Sequence, residues 1–408
     1  MKSTGVYWLP EIPASWEMRG AWSLFSESEE IAEEVAPVLT PSKEFGVVTR
    51  DQYIELSGAR PQQNFATTHL MRAVRPGQFI ITMGSFESGL EYSKISGKIT
   101  PHYRVLDPAP ECDHGYFRWL FKSAPFTDGL SGLATEIRKG QEINYTKFSR
   151  LKLPLPPLNQ QRGIAGYLDR EIAEMNAMDA DLDKLIAMLV RRRAAVEDLA
   201  IEGPQPVVSL LMTTSAINTG PFGTQVKQAD YVADGVPLIN PSHIRAGALS
   251  PDSRVTVDGQ KAAELSRHLM QPGDVVVARR GEMGRCAVVR ESDTPVLCGT
   301  GSLRVIPGPD MDPEFAALVI RSSDSRNQMT AYSVGATMDN LNEELLGRVR
   351  IPLPPLEEQR RIVSALATAS ARIDAMIGDA ERLKALLAER RSTLITEVVT
   401  GRKEVPAA

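Results

Sequence analysis

The chain repeats itself. Leu153-Pro-Leu-Pro-Pro-Leu-Asn-Gln-Gln-Arg162 returns as Ile351-Pro-Leu-Pro-Pro-Leu-Glu-Glu-Gln-Arg360, an offset of 198 residues. The offset holds without a gap from 153–203 to 351–401, where 19 of 51 positions are identical. Such a repeat constrains the fold more than any local propensity does, because both copies must build the same unit. Fainter echoes lie upstream. Arg75-Pro-Gly-Gln-Phe-Ile-Ile-Thr matches Gln271-Pro-Gly-Asp-Val-Val-Val-Ala, Thr100-Pro-His-Tyr-Arg-Val-Leu106 faces Thr300-Gly-Ser-Leu-Arg-Val-Ile306, and Phe117-Arg-Trp-Leu faces Phe315-Ala-Ala-Leu. The chain therefore reads as a globular domain (1–150), a helical segment (151–203), a second globular domain (204–348) and a second helical segment (349–408).

Each Pro-Pro pair forbids a helix upstream and suits the first turn of a new one. Apolar residues then recur in steps of three and four, the seam of a coiled coil. In the first copy these are Ile164, Leu168, Ile172, Met175, Met178, Leu182, Leu185, Leu189, Val196 and Leu199; in the second, Ile362, Leu366, Ile373, Met376, Leu383, Leu387, Leu394 and Val398. Gly203 and Gly401 stop the two runs. Gly163 and Gly166 weaken the start of the first helix by about 1 kcal/mol each relative to alanine, so that start is expected to fray. A run of this length makes a rod of about 65 Å whose seam needs a partner. Antiparallel pairing with the other copy supplies one, and would hold the two globular domains at opposite ends about a pseudo-twofold axis.

The globular domains mix short apolar, β-rich runs with one or two helices and many Gly/Pro/Ser loops, an irregular α/β pattern. With 408 residues, 42% hydrophobic and 24% charged, the composition is that of a globular protein. No apolar run approaches the roughly 20 residues that span a bilayer, and the first residues lack a signal core, so a cytoplasmic location is expected. Cys112, Cys286 and Cys298 are too few for a disulfide framework and none form a CxxC pair. The five histidines show no metal-ligand spacing, and neither a phosphate-cradling GxxxxGK[ST] nor a dinucleotide GxGxxG is present. The sequence gives no reason to expect an enzyme.

What the loops offer is hydrogen-bond donors at strand ends. Arg279-Arg280-Gly-Glu-Met-Gly-Arg285 follows an apolar run, and an arginine there can fork two bonds to guanine or clamp a phosphate. The glycine-rich loop around Thr224 and Gln225, and Arg304 in the following run, complete the set in the second domain. In the first domain Thr68, His69, Arg72, Lys94, Lys98, His102, Tyr103 and Arg104 give a similar mixture of base-edge and phosphate donors. The formal net charge of −5 argues against a free-standing basic DNA binder. Resolved by segment, residues 62–150 carry 11 Lys/Arg against 8 Asp/Glu, and 267–304 hold six arginines against four acids. The positive charge is local.

Two copies of Pro-Leu-Pro-Pro-Leu-x-x-Gln-Arg-x-Ile, each opening a long helix after a variable domain, resemble the specificity subunit of type I restriction-modification systems. The resemblance implies a non-catalytic reader of double-stranded DNA, with one target recognition domain per half of a split site. It also implies that the helices, through Pro156, Pro157, Gln161, Arg162, Pro354, Pro355, Gln359 and Arg360, set the spacing and dock two methyltransferase subunits. Restriction/translocase subunits would join the complex, and S-adenosylmethionine would be bound by the methyltransferase partners, with no cofactor on this chain. The acidic run Ser26-Glu-Ser-Glu-Glu-Ile-Ala-Glu-Glu34 departs from the family pattern and is expected to keep the early first domain off DNA.

Overall fold

The structure, a computed structural model, describes residues 1–60, 70–82, 89–131, 145–222, 224–245, 247–333 and 341–405. Thr68 and His69 lie outside the described residues. The chain divides into two compact units. The first joins residues 1–182 to 381–408, and the second comprises residues 183–380.

The apolar runs become strands for a simple reason. Phe79-Ile-Ile and Val275-Val-Val-Ala are buried at nearly every position, as β-branched and aromatic residues in a sheet interior should be. Each is launched by the same turn. Gly77 and Gly273 sit at φ +95° and +91°, a conformation glycine adopts without strain. The fourth residue of each turn locks it: Gln78 Oε1 accepts the Arg75 amide at 2.6 Å, and Asp274 Oδ2 accepts the Gln271 amide at 2.6 Å.

These strands anchor a four-stranded antiparallel sheet in each unit. The order in the first is Phe25–Ser28, Arg104–Pro108, Phe79–Ile81, Glu91–Tyr92; in the second it is Thr214–Thr219, Ser302–Pro307, Val275–Ala278, Cys286–Val288. Both run in the same order. A two-stranded ribbon closes each domain at its base, Glu17–Gly20 with Lys152–Leu155 and Val207–Ser209 with Arg350–Pro352. Next comes a short helix capped by aspartate, His114–Leu120 behind Asp113 and Pro313–Arg321 behind Asp312. The first core is aromatic: Phe25 meets Phe79, Phe117, Phe121 and Phe148 with ring centroids 5.1–5.8 Å apart. The domains diverge beyond this shared frame. The second carries a five-stranded sheet (Tyr231–Val232, Thr256–Val257, Val236–Ile239, Val296–Cys298, Leu269–Met270), whereas the first carries the hairpin Leu39–Ser42/Gly46–Thr49 and the helix Arg50–Ser57.

The repeated segments are helices of 44 residues each, Leu158–Ile201 and Leu356–Val399. In the first unit, Ile164, Leu168, Ile172 and Met175 share one core with Leu387, Leu394 and Val398. The start of one helix and the end of the other meet at the same short helix, where Tyr116 Oη donates to the Val399 carbonyl at 3.0 Å. Further along, Lys384 and Asp179 pair at 3.7 Å, so the segments run antiparallel. In the second unit Ile201 shares a core with Ile362 and Leu366, and Arg193 bonds Asp374 at 2.8 Å. The seam is not uniformly dry. Met178, Leu185, Met376 and Leu383 are 40–49% exposed. Leu199, expected on the seam, is also exposed. The helix is continuous from Leu158 through Gly163 and Gly166, with Gln161 bonding its first turn to the domain.

Candidate nucleic-acid interface

In the second domain the hairpin loop 279–285 joins strands Val275–Ala278 and Cys286–Val288. Its arginines divide by what they touch. Arg279 turns inward, donating Nε to the Leu341 carbonyl at 2.9 Å, and burial lowers its guanidinium pKa. Arg285 closes the loop on itself through Glu282 at 2.9 Å and reaches the Pro241 carbonyl at 3.3 Å. Arg280 is exposed and holds no ion pair among the described residues. It is the arginine of the loop free to offer its planar fork to a base or phosphate.

Arg304 corrects the sequence expectation. Its Nε donates to Asp274 Oδ2 at 2.7 Å, and the two side chains are 13% and 4% exposed. A guanidinium this buried and paired with a buried carboxylate is held within the sheet rather than presented to a base edge. Thr224 and Gln225 are exposed, with Gln225 Oε1 accepting the Phe222 amide at 2.9 Å, so part of that glutamine is used to shape its own loop.

In the first domain the acidic run lies on the nominated cations. Residues 30–32 pair alongside Arg72–Val74, with the Ala73 amide donating to Glu30 and the Ala32 amide to Met71. Arg72 faces Glu29 at 3.9 Å, Arg104 Nη1 bonds Glu27 at 3.2 Å, Arg75 pairs with Glu30, and Lys98 Nζ donates to the Glu34 carbonyl. Arg72, Lys98 and Arg104 are therefore engaged within the fold and correct the expectation of free donors. Tyr103 is half-buried against a small core, which raises its phenol pKa. Lys94 and His102 remain exposed.

At the helix starts the two copies agree bond for bond. Gln161 Oε1 accepts the Asp113 amide at 2.7 Å, and its Nε2 donates to Glu111 O at 3.0 Å and Pro156 O at 2.8 Å. Gln359 accepts the Asp312 amide at 2.8 Å and donates to Asp310 O at 2.8 Å and Pro354 O at 2.9 Å. Both glutamines are buried (1% and 0% exposed), as are Pro156 and Pro354; Pro157, Pro355, Arg162 and Arg360 face solvent. The glutamines thus cannot present to a docking partner, their amides being consumed inside their own unit. Arg162 and Arg360 each stand 3.8 Å from the carboxylate of the capping aspartate. Asp113 and Asp312 escaped the sequence reading. The signal was there: both stand immediately before a helix, 199 residues apart.

Other chemistry is sparse. The three cysteines are buried and their thiols are pushed up to about 12 by desolvation, which makes them inert as nucleophiles. A cleft of about 770 Å³ in the second unit, between helix residues 190–198 and 363–374 and the globular domain, is lined by charges of both signs. Four of its arginines face acids: Arg193 faces Asp374, Arg285 faces Glu282, Arg290 faces Glu314, and Arg321 faces Glu197 at 2.9 Å. Among the described residues no group of histidine, cysteine or acid side chains could hold a metal, and no helix is long and apolar enough to cross a membrane.

Residues 223–385 match the type I restriction modification DNA specificity domain family. The chain is 24% identical over 356 residues to the EcoKI specificity subunit of Escherichia coli K12, covering 77% of this chain and 75% of that protein. Over most of its length it is similar to type I specificity subunits. The EcoBI specificity subunit of Escherichia coli is 25% identical over 236 residues, about half of each chain (52% and 50%). The MjaVIII specificity subunit of Methanocaldococcus jannaschii is 20% identical over 303 residues, 70% of each. Two solved structures share the specificity-subunit fold over nearly the whole chain. One is a chain of a type I R-M system studied for its assembly (TM-score 0.64, 16% identity, 96% of this chain and 100% of that one). The other is the HsdS subunit of Thermoanaerobacter tengcongensis (TM-score 0.52, 15% identity, 96% and 98%).

Proposed function

We propose that this chain reads a bipartite DNA target and directs partner subunits to it. The observation that carries the reading is the duplicated frame: one sheet order, one basal ribbon and one glutamine-pinned helix start, built twice. Each globular domain then serves one half-site, with Arg280, Thr224 and Gln225 as reading groups in the second and Lys94 and His102 in the first. The helices set the interval of unread base pairs between the half-sites. Adenine methyltransferase subunits, two per chain, supply catalysis and bind S-adenosylmethionine, and restriction/translocase subunits complete the assembly. The chain itself is non-catalytic. A net charge of −5 leaves most non-specific phosphate affinity to those partners.

Single-molecule methylome sequencing of cells carrying the chain with its methyltransferase tests this. The expected product is a split motif with a fixed interval. Inserting four residues into each long helix adds about 6 Å of rise, which lengthens the interval by about two base pairs and leaves both half-site sequences alone. An undivided motif, or an interval indifferent to the insertion, overturns the reading.

A further inference from the structure

At the start of each long helix, one buried side-chain amide gathers bonds from its globular domain. The Gln161 side chain fills every hydrogen-bonding position it has except the second lone pair of its oxygen, and its partners come from three places: the cap of the short helix, the loop before that cap, and the proline-rich lead-in. Gln359 does the same at the repeat offset, with each bond within 0.2 Å of its counterpart. A planar amide that accepts once and donates twice is the one arrangement these three groups can share. A carboxylate cannot donate, and an apolar side chain leaves an N–H and two carbonyls buried and unpaired.

Satisfying these three backbone groups already calls for an amide, since leucine or methionine would fill the volume and leave them unpaired. What the amide adds is angular definition. It ties the first turn of a long lever to the first turn of the short helix that supports the sheet, and the neighbouring arginine adds an outer contact to the same aspartate at 3.8 Å.

We infer that Gln161 and Gln359 are positioning residues that fix the angle of each recognition domain on its helix, and thereby the interval at which the two half-sites are accepted. This rests on the bipartite reading above. Over a domain radius of about 20 Å, a tilt of about 10° moves the reading surface by about 3.5 Å, one base-pair step. The interval is therefore far more sensitive to this joint than the half-site sequences are, because the latter depend on loops that move with the domain.

The test uses the full chain in complex with its methyltransferase partner and a pool of duplexes carrying both half-sites at varied intervals, with methylation read by sequencing. Wild type is expected to accept one interval. Gln161→Met and Gln359→Met are each expected to raise methylation at intervals one base pair away at least tenfold relative to the preferred one, with half-site sequences unchanged. Lowered thermal stability alone would not produce that pattern. A folded variant that keeps wild-type interval discrimination overturns the inference. A wild type with no preferred interval overturns the bipartite reading instead. Should neither variant fold, hydrogen exchange on the wild-type complex decides: the Asp113 and Asp312 amides, which donate to the glutamines, are expected to exchange as slowly as helix interiors, and fast exchange sinks the proposal.

Discussion

Replacing Arg304 by methionine distinguishes a base reader from a structural cation. The guanidinium and Asp274 meet at 2.7 Å with side chains 13% and 4% exposed, so removing the arginine strands a carboxylate almost out of water. Breaking a buried pair from one side costs about 3–5 kcal/mol, whereas removing both partners is often close to neutral. Asp274 keeps one compensating bond, the Gln271 amide at 2.6 Å, which places the expected loss near the lower end, about 3 kcal/mol. Asp274→Asn added to Arg304→Met removes both charges while preserving that acceptor, and should recover about 2 kcal/mol as coupling between the sites. Native-state hydrogen exchange reads this locally. The amides of strands Val275–Ala278 and Ser302–Pro307 should exchange about 100-fold faster in the single variant and substantially slower again in the double. All four tryptophans (Trp8, Trp16, Trp22 and Trp119) lie in the first unit, so their fluorescence should not change. The reasoning fails if Arg304→Met leaves exchange unaltered while abolishing recognition of one half-site, since the arginine would then be spending its donors on DNA.

Arg280→Ala should weaken recognition of the second domain's half-site by about 1–3 kcal/mol, seen in gel shifts of the complex at fixed salt, with no change in thermal unfolding. Phe25→Ala removes the ring at the centre of four aromatic contacts and should destabilise the first unit by about 3–5 kcal/mol, read by tryptophan fluorescence in urea. The cysteines predict a pH dependence. Their thiols are raised from the ordinary 9.0 to about 12, so above pH 9 the unfolded chain sheds protons that the folded chain retains. Stability should hold below pH 9 and fall as pH climbs toward 12, measurable as a urea midpoint lower at pH 10 than at pH 8. At pH 8 the native thiols should resist an aromatic disulfide reagent that labels the denatured chain.

The duplication was legible in the residues because it rests on local rules: prolines that start helices, glycines that stop them, and an apolar period that any helix must follow. The shared turns at Gly77 and Gly273 were legible for the same reason. Gln161 and Gln359 were visible as a repeated pair, but their role was not. A glutamine on a helix surface and one buried against a capping aspartate look identical in sequence, and only the approach of residues 111–113 and 310–312 tells them apart. Charge behaved similarly. Sequence counted Arg72, Lys98, Arg104, Arg279 and Arg304 as available donors, because composition records that a cation exists and not what faces it. Strand pairing brought Glu27, Glu29 and Asp274 onto three of them, and the chain's own carbonyls onto the other two. Local periodicity therefore determined that this protein is built twice around paired helices. Which of its basic groups are left to meet DNA was decided by long-range pairing, since desolvating a cation requires neighbours that no stretch of sequence can supply alone.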